Sequence, residues 1–177
     1  MEYVLRNPFL LATDASSIIL LHKTRLFSNL SSACEFQITI SVQNELDRGA
    51  SSSEIKKIKS HTKLIEIDIN HIADLPKKLS SADASVLNLF YQTHSHAVLS
   101  DDQAILKYCK SKNINHYCCL SLLAPLVQFK SLSPDEANSF FPRIKEAGRY
   151  SVKIVQIART MLDSSINEIH RGGKEQE

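Results

Sequence analysis

Glycine is scarce in this chain. Only Gly49, Gly148, Gly172 and Gly173 occur among 177 residues, and none opens a Gly-rich fingerprint. A P-loop or a dinucleotide-binding turn needs glycine where backbone must approach phosphate, so both are excluded. Tryptophan is absent. No run approaches the ~18 apolar residues of a membrane span. The first eight residues carry Glu2 and Arg6 ahead of only a short apolar stretch, unlike a secretory leader. The four cysteines, Cys34, Cys109, Cys118 and Cys119, show no CxxC spacing. That excludes a zinc knuckle and predicts reduced, buried thiols in a cytoplasmic protein. Charge of one sign is lacking too. The chain holds 21 Lys+Arg against 19 Asp+Glu, formally +2, so composition names no partner.

What is present is ordinary globular composition, with 43% hydrophobic residues and a length suited to one domain. Short apolar runs alternate with helical patterns. Residues 9–13 read as a buried strand ending at Asp14, a plausible N-cap for a helix over 15–21. A second strand is expected at 37–40, then a helix at 42–48 closed by Gly49. Ser51 to Glu54 opens another helix over 55–61, and the alternation of 64–69 predicts a strand with one wet face. Further helices are expected from Ser80 to Thr93, at 103–111, 120–129, 134–148 and 151–170, with strands at 97–99 and 116–119. Pro134 after Ser133 is a strong start signal. This order predicts a three-layer α/β/α sandwich around a mostly parallel sheet of about five strands, with extra C-terminal helices.

In such sheets ligands bind beyond the carboxyl ends of the strands. Acids collect there. Asp14 follows strand one, Glu45 lies on the helix after strand two, Asp83 opens the helix feeding strand four, and Asp101 and Asp102 follow that strand. No Lys or Arg lies within three residues of any of the four aspartates. By i+3, i+4 and i+7 spacing, Asp14 lies above Ser17, Ile18 and Leu21. Asp83 lies above Val86, Leu87 and Phe90, and Asp102 above Ile105, Leu106 and Cys109. Each therefore sits over its helix's apolar face. Any one of these acids alone is explained by helix capping. Together they would repel one another unless a cation joined them, and all-oxygen ligands suit Mg²⁺ or Mn²⁺.

The order Asp14-Ala15-Ser16, Glu45, Asp83, Ser100-Asp101-Asp102 resembles a PIN domain over about residues 7 to 130. The segment 131–162, with Glu146-Ala147-Gly148-Arg149-Tyr150-Ser151, resembles the helical extension of a prokaryotic branch of that family. The expected organisation is a nuclease domain at 1–130, a helical extension at 131–170 packed on it, and a polar tail at 171–177. The resemblance implies a metal-dependent ribonuclease, many relatives of which are toxins paired with a small antitoxin, and it implies a homodimer. It assigns catalysis to Asp14, Glu45, Asp83 and Asp102. Metal ligation falls to Asp14, Asp83, Asp101 and Asp102, with Ser16 and Ser100 supporting the carboxylates. Two positions depart from the family pattern: Ala82-Asp83 stands where Gly-Glu is frequent, and the usual Arg after the acid pair is missing. Lys23, Arg25 and Lys107 are expected to hold RNA phosphates, helped by a stretch from Gln103 to Ser133 that contains Lys107, Lys110, Lys112 and Lys130 and no acid. His94, His96 and His116 are weaker candidates for phosphate contact. The alternative is a catalytically weak PIN-fold module that binds RNA or a partner protein.

Overall fold

The computed structural model describes residues 8–30, 33–49, 51–68, 75 and 78–172. Five strands form one all-parallel sheet: β1 (Phe9–Thr13), β2 (Cys34–Ile38), β3 (Thr62–Leu64), β4 (Ala97–Leu99) and β5 (His116–Tyr117), in the order β3-β2-β1-β4-β5. The helices are α1 (Ala15–Lys23), α2 (Phe27–Leu30), α3 (Ile40–Gly49), α4 (Ser52–Lys59), α5 (Ser81–Thr93), α6 (Gln103–Ser111), α7 (Leu123–Gln128), α8 (Pro134–Gly148) and α9 (Val152–Gly172). The expected α/β sandwich with C-terminal helices is what forms.

The central strands are buried on both faces, as crossover helices require. Leu11, Ala12, Phe36, Val98 and Leu99 are shielded from water. Local signals start several helices where the sequence puts them. The Ser80 hydroxyl accepts from the Asp83 N–H at 3.1 Å, and Ser133 does the same for Glu136 at 3.2 Å. In both boxes the acid reaches back to the cap's own amide, which satisfies two orphan donors at once.

Several boundaries differ from the sequence pattern. The strand expected at 116–119 ends at Tyr117, and the helix expected at 120–129 begins only at Leu123, after the turn at 118–122. The second strand occupies Cys34–Ile38 rather than 37–40, because pairing with β1 begins at Phe9 opposite Cys34. Of the alternating run at 64–69 only the start pairs: Leu64 lies opposite Ile38 and the Ile65 N–H donates to Ile38 O at 2.9 Å, while β3 itself begins at Thr62, and Ile69 lies outside the described residues. The short helix α2 has no counterpart in the sequence reading, since four residues make too little of a period to detect.

α9 packs along α7, while α8 packs on both α1 and α7. Leu162 of α9 and Ile144 of α8 are fully buried in the same apolar core as the sheet. Leu162→Ala should therefore cost about 2–5 kcal/mol. Chemical denaturation should still show one cooperative transition, lowered throughout. Two separate transitions would mean that the C-terminal helices fold apart from the sheet.

Candidate active site

Strand order reverses between β1 and β4, which part company with successive neighbours and leave a crevice at their carboxyl ends. Asp14 sits there. Its backbone N–H donates to Leu99 O at 3.3 Å, which ties it to the end of β4. The side chain is 5% exposed. Asp14 Oδ1 caps α1 by accepting from the Ser17 N–H at 2.7 Å and from the Ser16 hydroxyl at 3.0 Å. The Ser100 hydroxyl donates to Asp14 Oδ2, and Ser100 Oγ in turn accepts from the Asp102 N–H at 3.0 Å. Ser16 and Ser100 thus make the contacts expected of groups that orient a carboxylate.

The two acids after β4 diverge. Asp101 turns inward. Its Oδ1 accepts from the Cys119 N–H at 3.1 Å, and the Tyr150 hydroxyl donates to it, 2.8 Å from Oδ1 and 2.9 Å from Oδ2. Asp102 turns outward and caps α6, its Oδ1 accepting from the Ala104 and Ile105 amides at 2.7 and 3.1 Å. By spacing Asp101 shares a helix face with Ile105 and Tyr108 and fits nearly as well as Asp102; of the two, Asp101 is half-buried and Asp102 exposed. The N-cap conformation curls the Asp102 side chain over its own helix end. Asp102 Oδ2 has no hydrogen-bond donor among the described residues.

Asp83 is half-buried at the start of α5, where it closes the capping box with Ser80. Glu45 is half-buried on α3, a helix that packs against both α1 and α5. Among the described residues no hydrogen bond joins Asp83 or Glu45 to Asp14. The basic candidates separate as well. Lys107 lines a groove of about 680 Å³ that reaches Asp101. Lys23 and Arg25 stand at the other end of α1, about 13 Å of helix from Asp14. Lys23 lies close enough to Glu54 to help hold its carboxyl below the usual range, after the contribution of Ser51. These two residues do not flank the acids, because a crossover helix runs from the carboxyl edge back to the amino edge. The histidines also belong to the amino edge. His96 Nδ1 accepts from the Leu10 N–H at 2.9 Å, His94 ends α5, and His116 begins β5.

Burial dominates the site's electrostatics. It raises the pKa of Asp14, opposed by the hydrogen bonds from Ser100 and Ser17. It likewise raises that of Asp101, opposed by Tyr150 and Cys119. The Cys119 thiol is pushed well up, first by burial and then by the charges of Asp101 and Asp14. No Lys or Arg pairs with either acid among the described residues.

A family model for the PIN domain matches residues 10–163. The chain belongs to the PIN-domain family. No curated protein matches it. PIN domains are generally nucleases that use divalent metals. The donor set here suits such an ion: it is all oxygen, its buried charge is uncompensated, and one lone-pair site on Asp14 and the whole of Asp102 Oδ2 are unspent. No three His, Cys, Asp or Glu side chains among the described residues converge into a ready ligand set. In this PIN domain the residues that sequence reasoning missed are Cys119 and Tyr150, both far along the chain from Asp101.

Both acids carry upward shifts from an ordinary value of 3.8. Their stabilising contribution is complete below that value and is lost as pH rises through the raised folded values. Asp14→Asn should therefore raise the melting temperature of the chelator-treated protein at neutral pH. That gain should shrink toward about pH 4. A variant less stable than wild type at neutral pH would contradict this account.

Proposed function

We infer that this PIN domain is a metal-dependent endoribonuclease that hydrolyses RNA phosphodiester bonds, with Mg²⁺ or Mn²⁺ as its cofactor. The observation that carries this reading is the buried, uncompensated Asp14 carboxylate, tied through Ser100 to the acid pair at the β1/β4 crevice.

Asp14, Asp102 and Asp83 would hold the cation, with Asp101 assisting. A cation there lowers the pKa of a bound water and stabilises charge on the scissile phosphate. Ser16, Ser100 and the Ser17 amide fix the Asp14 carboxylate so that it need not reorganise during reaction. Glu45, on a helix packed against those carrying Asp14 and Asp83, orients the attacking water. Lys107 neutralises a phosphate next to the acids. The Tyr150 hydroxyl keeps Asp101 in place as a donor, its own ionisation suppressed by burial and by the neighbouring Cys119 and Asp101. The resemblance of residues 7 to 130 supports a toxin restrained by a small antitoxin protein, that of residues 131–162 supports a prokaryotic source, and the free, buried cysteines suit the cytoplasm.

Purified protein should cut unstructured RNA with Mg²⁺ or Mn²⁺ and not with chelator. Asp14→Asn, and separately the double variant Asp101→Asn with Asp102→Asn, should lower the rate at least about 100-fold, since each removes charge that stabilises the transition state. Asn keeps the caps of α1 and α6, so folding survives. Unchanged cleavage in both variants would remove the site assignment. Metal-independent RNA affinity without turnover would instead establish a non-catalytic binding module.

A further inference from the structure

The corner between α8 and α9 is built around the acid site. Gly148 ends α8, and a Cβ placed there would stand 2.3 Å from Tyr150 Cε2. Only glycine therefore lets the Tyr150 ring fold back over the helix end and reach Asp101. Arg149 follows with φ 52°, a left-handed conformation that costs a non-glycine residue about 1 kcal/mol. The strained residue directs Arg149 outward while its neighbour Tyr150 turns in.

This corner forms one wall of the groove of about 680 Å³ that reaches Asp101. Arg149 and Lys153 stand on that wall, with Lys107 and Lys110 of α6 opposite. All four are exposed, and none forms an ion pair among the described residues. Among the described residues Asp101 is the one acid lining the groove. Apolar surface in the groove comes from Leu106, Ile154 and Ile157, the last 52% exposed, beside the polar Gln103 and Ser151 and the ring of Tyr150.

Four cations with no ion-pair partner among the described residues, in a groove that also offers apolar side chains, match a particular ligand. Phosphates meet the cations while unstacked bases cover the apolar side chains. A duplex keeps its bases stacked inside and offers phosphate and ribose only, leaving those side chains unmatched. We propose that the α6–α9 groove is the track for single-stranded RNA, and that the C-terminal helices supply half of it through Arg149 and Lys153. The inference rests on the nuclease reading and names the route by which substrate reaches its acids.

The test measures binding apart from chemistry. Fluorescence anisotropy of a labelled, unstructured RNA is followed with the full chain in chelator, across a salt series. Lys107→Gln with Lys153→Gln is compared with Lys23→Gln with Lys56→Gln, which makes the same charge change elsewhere on the surface. The groove variant should lose about tenfold or more in affinity, and its salt slope should fall by about 1.4, or ~0.7 for each cation removed. The control should change affinity less than about twofold, and a duplex of the same sequence should bind at least about tenfold more weakly. Equal losses in the two variants, or a duplex bound as tightly as the single strand, would overturn the proposal. Its failure is distinct from that of the nuclease reading. Groove-dependent binding with no Mg²⁺-dependent cleavage sustains the track and overturns the nuclease. Asp14-dependent cleavage with groove variants that bind and cut like wild type does the reverse.

Discussion

A carboxylate held out of water without a positive partner is the constraint around which this protein is arranged. Burying an ion costs several kcal/mol even after relaxation. At Asp14 that cost is offset by three donors: the Ser17 amide, the Ser16 hydroxyl and the Ser100 hydroxyl. Hydrogen bonds to charged groups contribute about 1.5–3 kcal/mol each, so the donors suffice to keep the acid in place without abolishing its raised pKa. On the proposed reading, the residual imbalance is what a bound divalent cation would relieve. Each donor also has a structural duty. Ser17 belongs to the first turn of α1, and Ser100 leads from β4 to α6, so the acid cannot move without disturbing the switch point of the sheet.

The second acid extends that dependence to the far end of the chain. Asp101 accepts from Cys119, just after β5, and from Tyr150, at the α8–α9 corner. Gly148 makes room for the tyrosine ring, and Arg149 absorbs the strained backbone. Helices that look like an appendage in sequence therefore reach the candidate acid site, and the same corner places cations beside it. The formal charge of +2 conceals this arrangement, because buried acids and exposed lysines cancel in the count while facing each other across the site.

Much of this was legible from sequence where the signal is local. α6 and α8 begin and end as the caps Asp102 and Ser133 indicate, and β1 followed by Asp14 needed only a buried run and an N-cap. Strand limits were less readable, because β2 and β3 are bounded by which residues find partners and not by their own alternation. The candidate acids could be named from their order along the chain. Their orientations could not: Asp101 and Asp102 are adjacent and chemically identical, and only the positions of Cys119 and Tyr150 decide which one turns inward. Asp101 and Tyr150 stand 49 positions apart in sequence, and no periodicity links them. Lys23 and Arg25 were misplaced for a related reason. Sequence proximity to Asp14 ignores that nine helical residues carry the chain back to the opposite edge of the sheet.

The central claim is that the Asp14 crevice is a divalent-cation site. Calorimetric titration of Mn²⁺ into metal-free protein at neutral pH tests it most directly. Wild type should take up the ion saturably, and Asp14→Asn should lose that binding while remaining folded. Equal heats from the two proteins, or none from wild type, would contradict the account.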